Sequence, residues 1–180
     1  MGADQTRLTS RRGRLNMPVA SYALLDDALL RECLVERCRA GGPGGQHLNR
    51  TESAVRIVHR ATAVEARCQD HRERLKNQAA ALTQIRVRLA IAQRGVSDVK
   101  WLEPYRRGRQ LPLTPRSLGY PLAVAVALDI LEAEGGHLPG AAHTLGISTT
   151  QLVKLLVADG EVRQATNALR ARFGCGPVKE

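Results

Sequence analysis

The chain is poor in aromatic residues, with one Phe, one Trp and three Tyr in 180 residues. Whatever core it forms has to be aliphatic. It also lacks long apolar runs. The longest, Pro121 to Leu128, is less than half of the about 20 residues that a helix needs to cross a bilayer, so no membrane partner is expected. The four cysteines, Cys33, Cys38, Cys68 and Cys175, include no C-x-x-C pair. That removes the common zinc and dithiol motifs and leaves a cytoplasmic chain with small reduced thiols. Residues 1–16 hold Arg7, Arg11, Arg12 and Arg14 but no apolar segment, which argues against a secretory leader. Residues 1–19 read as a disordered basic arm.

Acidic residues are scarce where basic ones abound. Residues 1–119 hold 22 Lys and Arg against 11 Asp and Glu, whereas residues 120–180 hold 5 against 6. The formal net charge of +10 therefore resides in the first two-thirds. A basic excess of this size favours a polyanionic partner through counterion release.

Glycine, by contrast, is concentrated. Gly41, Gly42, Gly44 and Gly45 surround Pro43, and Gln46-His47-Leu48-Asn49-Arg50-Thr51-Glu52-Ser53 follow. Such a segment cannot be a helix or a regular strand, and its bare backbone can approach a ligand closely. It lacks the Gly-Lys-Ser/Thr of a phosphate-binding loop, and no helix opens at its last glycine as a dinucleotide loop requires. Around it the periodicity is that of strands. Residues 34–39 and 54–60 read as strands, and Val64, Ala66 and Cys68 alternate against Glu65, Arg67 and Gln69. A short helix precedes them from Asp26-Asp27 to about Glu32. From about Arg72 the period becomes helical. Leu75, Ala79, Leu82, Ile85, Leu89 and Ala92 fall on one stripe, with Arg72, Arg74, Lys76, Arg86 and Arg88 opposite, and Gly95 marks the end. The fold class is α+β: a small antiparallel sheet with a long packed helix and an exposed Gly-Gly-Gln loop, spanning residues 20–95. Residues 96–117, with Arg106, Arg107, Arg109, Pro112 and Pro115, read as an exposed basic linker.

Residues 118–176 form a small all-helical unit. Pro121 suits the first turn of a helix running to about Glu134. Then Ala142 and Leu145 pack inside one helix, Gly146 permits a tight turn, Ile147 plugs the core, and Ser148 caps a second helix with Leu152, Leu155 and Leu156 inside. A last helix places Val162, Ala165, Leu169 and Phe173 on one stripe. The pattern is that of a helix-turn-helix. Its second helix carries a single cation, Lys154, so a packing unit and a nucleic-acid reader both stay open.

Gly44-Gly45-Gln46, continued by His47, Asn49, Arg50, Thr51, Glu52, Ser53, Ala54, Val55 and Arg56, and then by Cys68-Gln69-Asp70, Arg72, Lys76-Asn77, Ala79 and Ala81-Leu82, resembles the catalytic domain of class I peptide chain release factors and the smaller ribosome-rescue factors related to them. The resemblance covers roughly residues 30 to 90. It implies ribosome-dependent hydrolysis of the peptidyl-tRNA ester, a carboxylic ester hydrolase activity, with Gly44, Gly45 and Gln46 as catalytic residues. The glutamine backbone N–H would stabilise the developing oxyanion, and its side chain would admit water and exclude bulkier nucleophiles. A glutamine side chain has no useful pKa, which fits positioning and not proton transfer. The partners implied are large-subunit ribosomal RNA and peptidyl-tRNA, contacted by His47, Asn49, Arg50, Arg56, Arg72, Arg74, Lys76, Arg86, Arg88, Arg106, Arg107 and Arg109, and a glutamine methyltransferase acting on Gln46. No cofactor and no metal is expected, and the chain is expected to be a monomer. His59 reads as structural.

The chain departs from the family pattern in places. Glu73-Arg74-Leu75 stands where members often have Ser-Gln-His, and Ala63 stands where they often have a turn glycine. Neither stop-codon decoding domains nor the Lys/Arg-rich tail of rescue factors is found in these 180 residues. The expectation is release or rescue without codon decoding. Two other readings stay open, a ribosome-binding module without hydrolysis and a nucleic-acid-binding regulator using the helix-turn-helix.

Overall fold

A computed structural model describes residues 20–38, 53–95 and 98–179. The basic arm of residues 1–19 and the glycine-rich segment of residues 39–52 lie outside them. A 3-10 turn at Ser21–Ala23 leads into α1 (Asp26–Glu32), whose first turn carries Asp26 and Asp27 at the end where helix dipoles favour negative charge. Three strands follow, β1 (Cys33–Cys38), β2 (Ala54–His59) and β3 (Glu65–Cys68). They form one antiparallel sheet in the order β1-β2-β3, and the class is α+β.

The register fixes which side chains face inward. Cys33 pairs with His59 and Cys38 with Ala54, while Val55 pairs with Cys68 and Ile57 with Ala66. Opposed residues share a face, so Val55, Ile57, Ala66 and Cys68 form one apolar surface, all nearly fully buried. The β2–β3 turn is closed by bonds from His59 N to Val64 O and from Ala63 N to His59 O. Ala63 adopts φ +56°, the one non-glycine with positive φ among the described residues. His59 is buried, with Nδ1 2.8 Å from Thr62 Oγ1 and Nε2 3.1 Å from Glu32 Oε2, so it ties α1 to this turn.

α2 (Arg74–Ala92) crosses the sheet. Its 19 residues extend about 28 Å. The buried set is Asn77, Ala81, Leu82, Ile85, Arg86, Val87, Leu89 and Ala90, which corrects the expected stripe. Leu75 is 70% exposed, and Ala79 and Ala92 are exposed too. The reason is that α2 is covered twice, by the sheet on one side and by a helix on the other. Its buried arc is therefore wider than a two-layer packing would give, and its first turn overhangs the sheet.

The covering helix is α3 (Tyr120–Ala133), buried at eleven of its fourteen positions. Gly119 precedes it because a Cβ there would fall 2.5 Å from the Tyr105 ring. The expected exposed linker is instead packed. A 3-10 segment at Val99–Tyr105 buries Trp101 and Leu102, and Leu111 is buried beyond it. These apolar side chains find cover against α3, which the prolines around them do not prevent.

The helix-turn-helix forms as its pattern suggests. α4 (Leu138–Leu145) ends at Gly146 with φ +66°, and Ser148 Oγ accepts from Gln151 N at 3.2 Å to cap α5 (Thr149–Val157). Asp159 caps α6 (Gly160–Arg172) through bonds from Glu161 N and Val162 N. α6 buries Val162, Thr166 and Leu169, whereas Phe173 is 44% exposed. Thr166 takes the place expected for Ala165 by satisfying its hydroxyl on Val162 O at 2.7 Å. Side chains from the sheet, α2, α3 and the helix-turn-helix belong to one continuous core.

Candidate functional site

β1 leaves the sheet at Cys38 and β2 enters it at Ala54, and these two residues are direct partners. The glycine-rich segment of residues 39–52 therefore starts and finishes at neighbouring points on one sheet end. Gly44, Gly45, Gln46, His47, Asn49 and Arg50 all lie outside the described residues, and the residues on either side of the segment form its base.

One side chain organises that base. Asn77, on the first turns of α2, is fully buried. Its Nδ2 donates to Ser53 O and to His71 O, each at 2.8 Å, while its Oδ1 accepts from His71 N at 2.9 Å and from Cys68 Sγ at 3.4 Å. Four bonds exhaust the capacity of an amide. Asn77 thus fastens the residue at which the chain returns to the sheet to the end of β3 and the start of α2. Sequence reasoning did not place it in the site. The available signal was an amide at a position where the neighbouring helix turns supply apolar side chains.

The expected cationic contacts divide into two groups. Arg72, Arg74, Lys76, Arg107 and Arg109 are exposed. Of these, Lys76 Nζ lies 2.8 Å from Glu73 Oε1. Arg56, Arg86, Arg88 and Arg106 are already engaged within the chain. Arg56 lies on the outer face of the sheet between Glu36, at 2.7 Å, and Glu65, whose Oε2 accepts from Arg56 Nε at 2.9 Å. Its hydrogen bonds to Glu36 and then to Glu65 raise its pKa above the ordinary value. Arg88 makes a two-pronged bond to Glu161, with Nε to Oε2 at 2.8 Å, and also donates to Glu65 O. The bond to Glu161 is the leading cause of its raised pKa.

Arg86 was expected on the polar face and is instead buried. It donates to Tyr22 O at 3.1 Å, to Leu24 O, and to Asp26 Oδ1 at 2.6 Å. It tethers the segment before α1 to α2, because two carbonyls there have no strand or helix to bond with and need a donor. Arg106 is likewise a structural residue. Its side chain is 13% exposed, with Nε 3.0 Å from Glu103 Oε1 and its terminal nitrogens donating to Leu145 O and Gly146 O. Arg94, not anticipated at all, binds Asp129 and Glu132 of α3.

These pairings join the basic part of the chain to the acidic one. Three acidic groups of the C-terminal unit, Asp129, Glu132 and Glu161, lie against arginines at the end of α2. Among the described residues there is no cluster of His, Cys, Asp or Glu able to hold a metal ion, and no helix is long and apolar enough to cross a membrane. The cysteines are free thiols, and burial raises the pKa of Cys33.

Comparison with known families matches residues 29–103 to the RF-1 domain. Among curated proteins, the chain is 31% identical over 180 residues to peptide chain release factor 1 of Caldicellulosiruptor bescii and 40% identical over 180 residues to that of Caldicellulosiruptor saccharolyticus. Each alignment covers 96% of this chain and 47% of the relative. Peptide chain release factor 1 of Thermus thermophilus is 42% identical over 89 residues, 46% of this chain and 25% of that protein. The chain spans about half the length, or less, of these relatives.

Proposed function

Residues 29–103 of this chain belong to the RF-1 domain family, and on that premise we propose that the protein hydrolyses the peptidyl-tRNA ester on the ribosome, releasing nascent chains without decoding a stop codon. The observation that carries the proposal is Gly44-Gly45-Gln46 within a segment whose two ends are pinned together at the edge of a rigid sheet, at Cys38↔Ala54 and through Asn77 to Ser53. A backbone donor aimed at a developing oxyanion works when its position is fixed beforehand, and a base of this kind supplies that fixity. Gly44 and Gly45 keep the backbone free of Cβ atoms, Gln46 offers its N–H to the oxyanion, and its side chain selects water. The remaining groups of the reaction centre belong to ribosomal RNA and tRNA.

The absence of codon decoding is part of the proposal. The same reading makes the protein a cytoplasmic rescue factor acting as a monomer, with Gln46 as a substrate for a glutamine methyltransferase. Release of labelled peptide from ribosomes with an empty A site and from ribosomes with mRNA filling it tests the proposal. Release from the first kind without dependence on a stop codon is expected, and release from neither would refute it.

A further inference from the structure

The connection between α2 and α3 carries Arg106, Arg107 and Arg109, and the fold gives them different work. Arg106 holds the last carbonyls of α4, at Leu145 and Gly146, where the helix leaves acceptors unsatisfied and its dipole is negative. Directly after it, Arg107 and Gln110 exchange two backbone bonds, each 3.0 Å. They close a two-residue hairpin with Gly108 at φ +58° and Arg109 at the tip. Residues 107–110 are all exposed. The hairpin is therefore a short, bonded turn, clasped by Arg106 to the junction of α4 and α5, with two guanidinium groups free of the core.

The acidic side chain next to it in the chain, Glu103, is paired with Arg106.

We propose that this hairpin and the adjoining α4–α5 turn form one docking surface for the phosphate backbone of duplex RNA, a second anchor separate from residues 39–52. Guanidinium groups match phosphate oxygens in a fork. Because the hairpin is bonded before any ligand arrives, little ordering cost opposes binding. The surface docks on the backbone and does not read bases. The exposed positions of α5 are Thr150 and Lys154, too few donors to distinguish base edges. The choice of RNA over DNA rests on the release reading above. The C-terminal unit that Arg106 clasps is paired with α2 at Arg88 and just beyond it at Arg94, whereas Ser53 is held at the first turn of α2 by Asn77, so the length of α2 separates the two places.

The test is a titration of the full chain with a mixed-sequence RNA duplex of about 16 base pairs and with the DNA duplex of the same sequence, between 50 and 200 mM KCl. The expected result is that Arg107→Gln with Arg109→Gln shallows the log–log salt slope on RNA by about two units, so that the affinity lost across this range is about 16-fold smaller. Arg107→Lys with Arg109→Lys keeps the slope. Arg106→Lys, which retains the charge but loses the fork, weakens binding several-fold with the slope unchanged. An unaltered slope in the double Gln variant, or a DNA duplex bound as tightly as the RNA, would overturn the proposal. No ribosome enters the titration, so a chain without release activity still gives its answer.

Discussion

Replacing Asn77 by alanine removes the four side-chain bonds that it makes at the base of the glycine-rich segment. The truncation leaves Ser53 O, His71 O and His71 N without their partner and strips the Cys68 thiol of an acceptor. Fully buried, each orphaned backbone group would cost about 1–3 kcal/mol. His71 is exposed and Ser53 partly so, and water reaches them after the change. The lower end of the range applies, and three groups give a loss of about 3 kcal/mol. For a chain of this length, 1 kcal/mol moves the melting temperature by about 2–4 °C, so Asn77→Ala should melt about 6–12 °C below the parent. Asn77→Asp is the informative companion. It keeps an acceptor for His71 N but turns the donating nitrogen into an oxygen aimed at two carbonyls, and it should be no more stable than alanine. Thermal and urea unfolding of the three proteins measure this. A loss below about 1 kcal/mol for Asn77→Ala would show that the amide does not hold the base together, and the argument from pinned ends would fall with it.

Other changes probe the rest of the fold. Ala63→Gly should stabilise by about 0.5–1 kcal/mol, because a left-handed Ala is strained by about 1–2 kcal/mol and glycine returns part of that as unfolded-state entropy; urea midpoints decide it. Gly146→Ala should cost about 1–2 kcal/mol, since φ is +66° and the added Cβ meets Arg106 Nη1 at 3.2 Å. A double-mutant cycle on Arg88 and Glu161 should give a coupling of about 0.5–1 kcal/mol that shrinks in high salt. Burial raises the pKa of Tyr120 above its ordinary 10.0 and also raises that of Tyr22. The folded state then holds protons that the unfolded state has lost. Stability is complete below the unfolded value and falls as pH climbs through and beyond 10. Tyr120→Phe should flatten that alkaline decline while losing the bond to Leu155 O, which fluorescence-monitored unfolding between pH 8 and 11 can follow.

The elements that were legible in the sequence are those whose environment is set locally. β2 and β3 show period-two alternation, and Gly146, Ile147 and Ser148 mark a turn by backbone geometry, core plug and cap. The turn at Ala63 was readable as well, since a glycine was the expected residue and the backbone still takes the glycine conformation. What could not be read depends on partners distant in sequence. Arg86 and Arg88 are alike in residue type, but two positions apart on a helix they face nearly opposite sides. One is buried because Tyr22 and Leu24 present carbonyls to it, and the other meets Glu161 from a helix more than seventy residues away. Arg106, Arg107 and Arg109 form one basic run in the sequence, but a clasp and a hairpin in the fold. Leu75 shows the converse error, an apolar residue at the right spacing on a turn that nothing covers.

The central claim is catalytic release by Gly44-Gly45-Gln46, and Gly45→Ala tests it most directly. The variant is added to ribosomes carrying a labelled peptidyl-tRNA with an empty A site, beside the parent chain, with binding measured in the same samples. The account predicts that the parent releases the peptide, while the folded variant binds but releases at the level of ribosomes alone. Release by the folded variant at the parent's rate would contradict it.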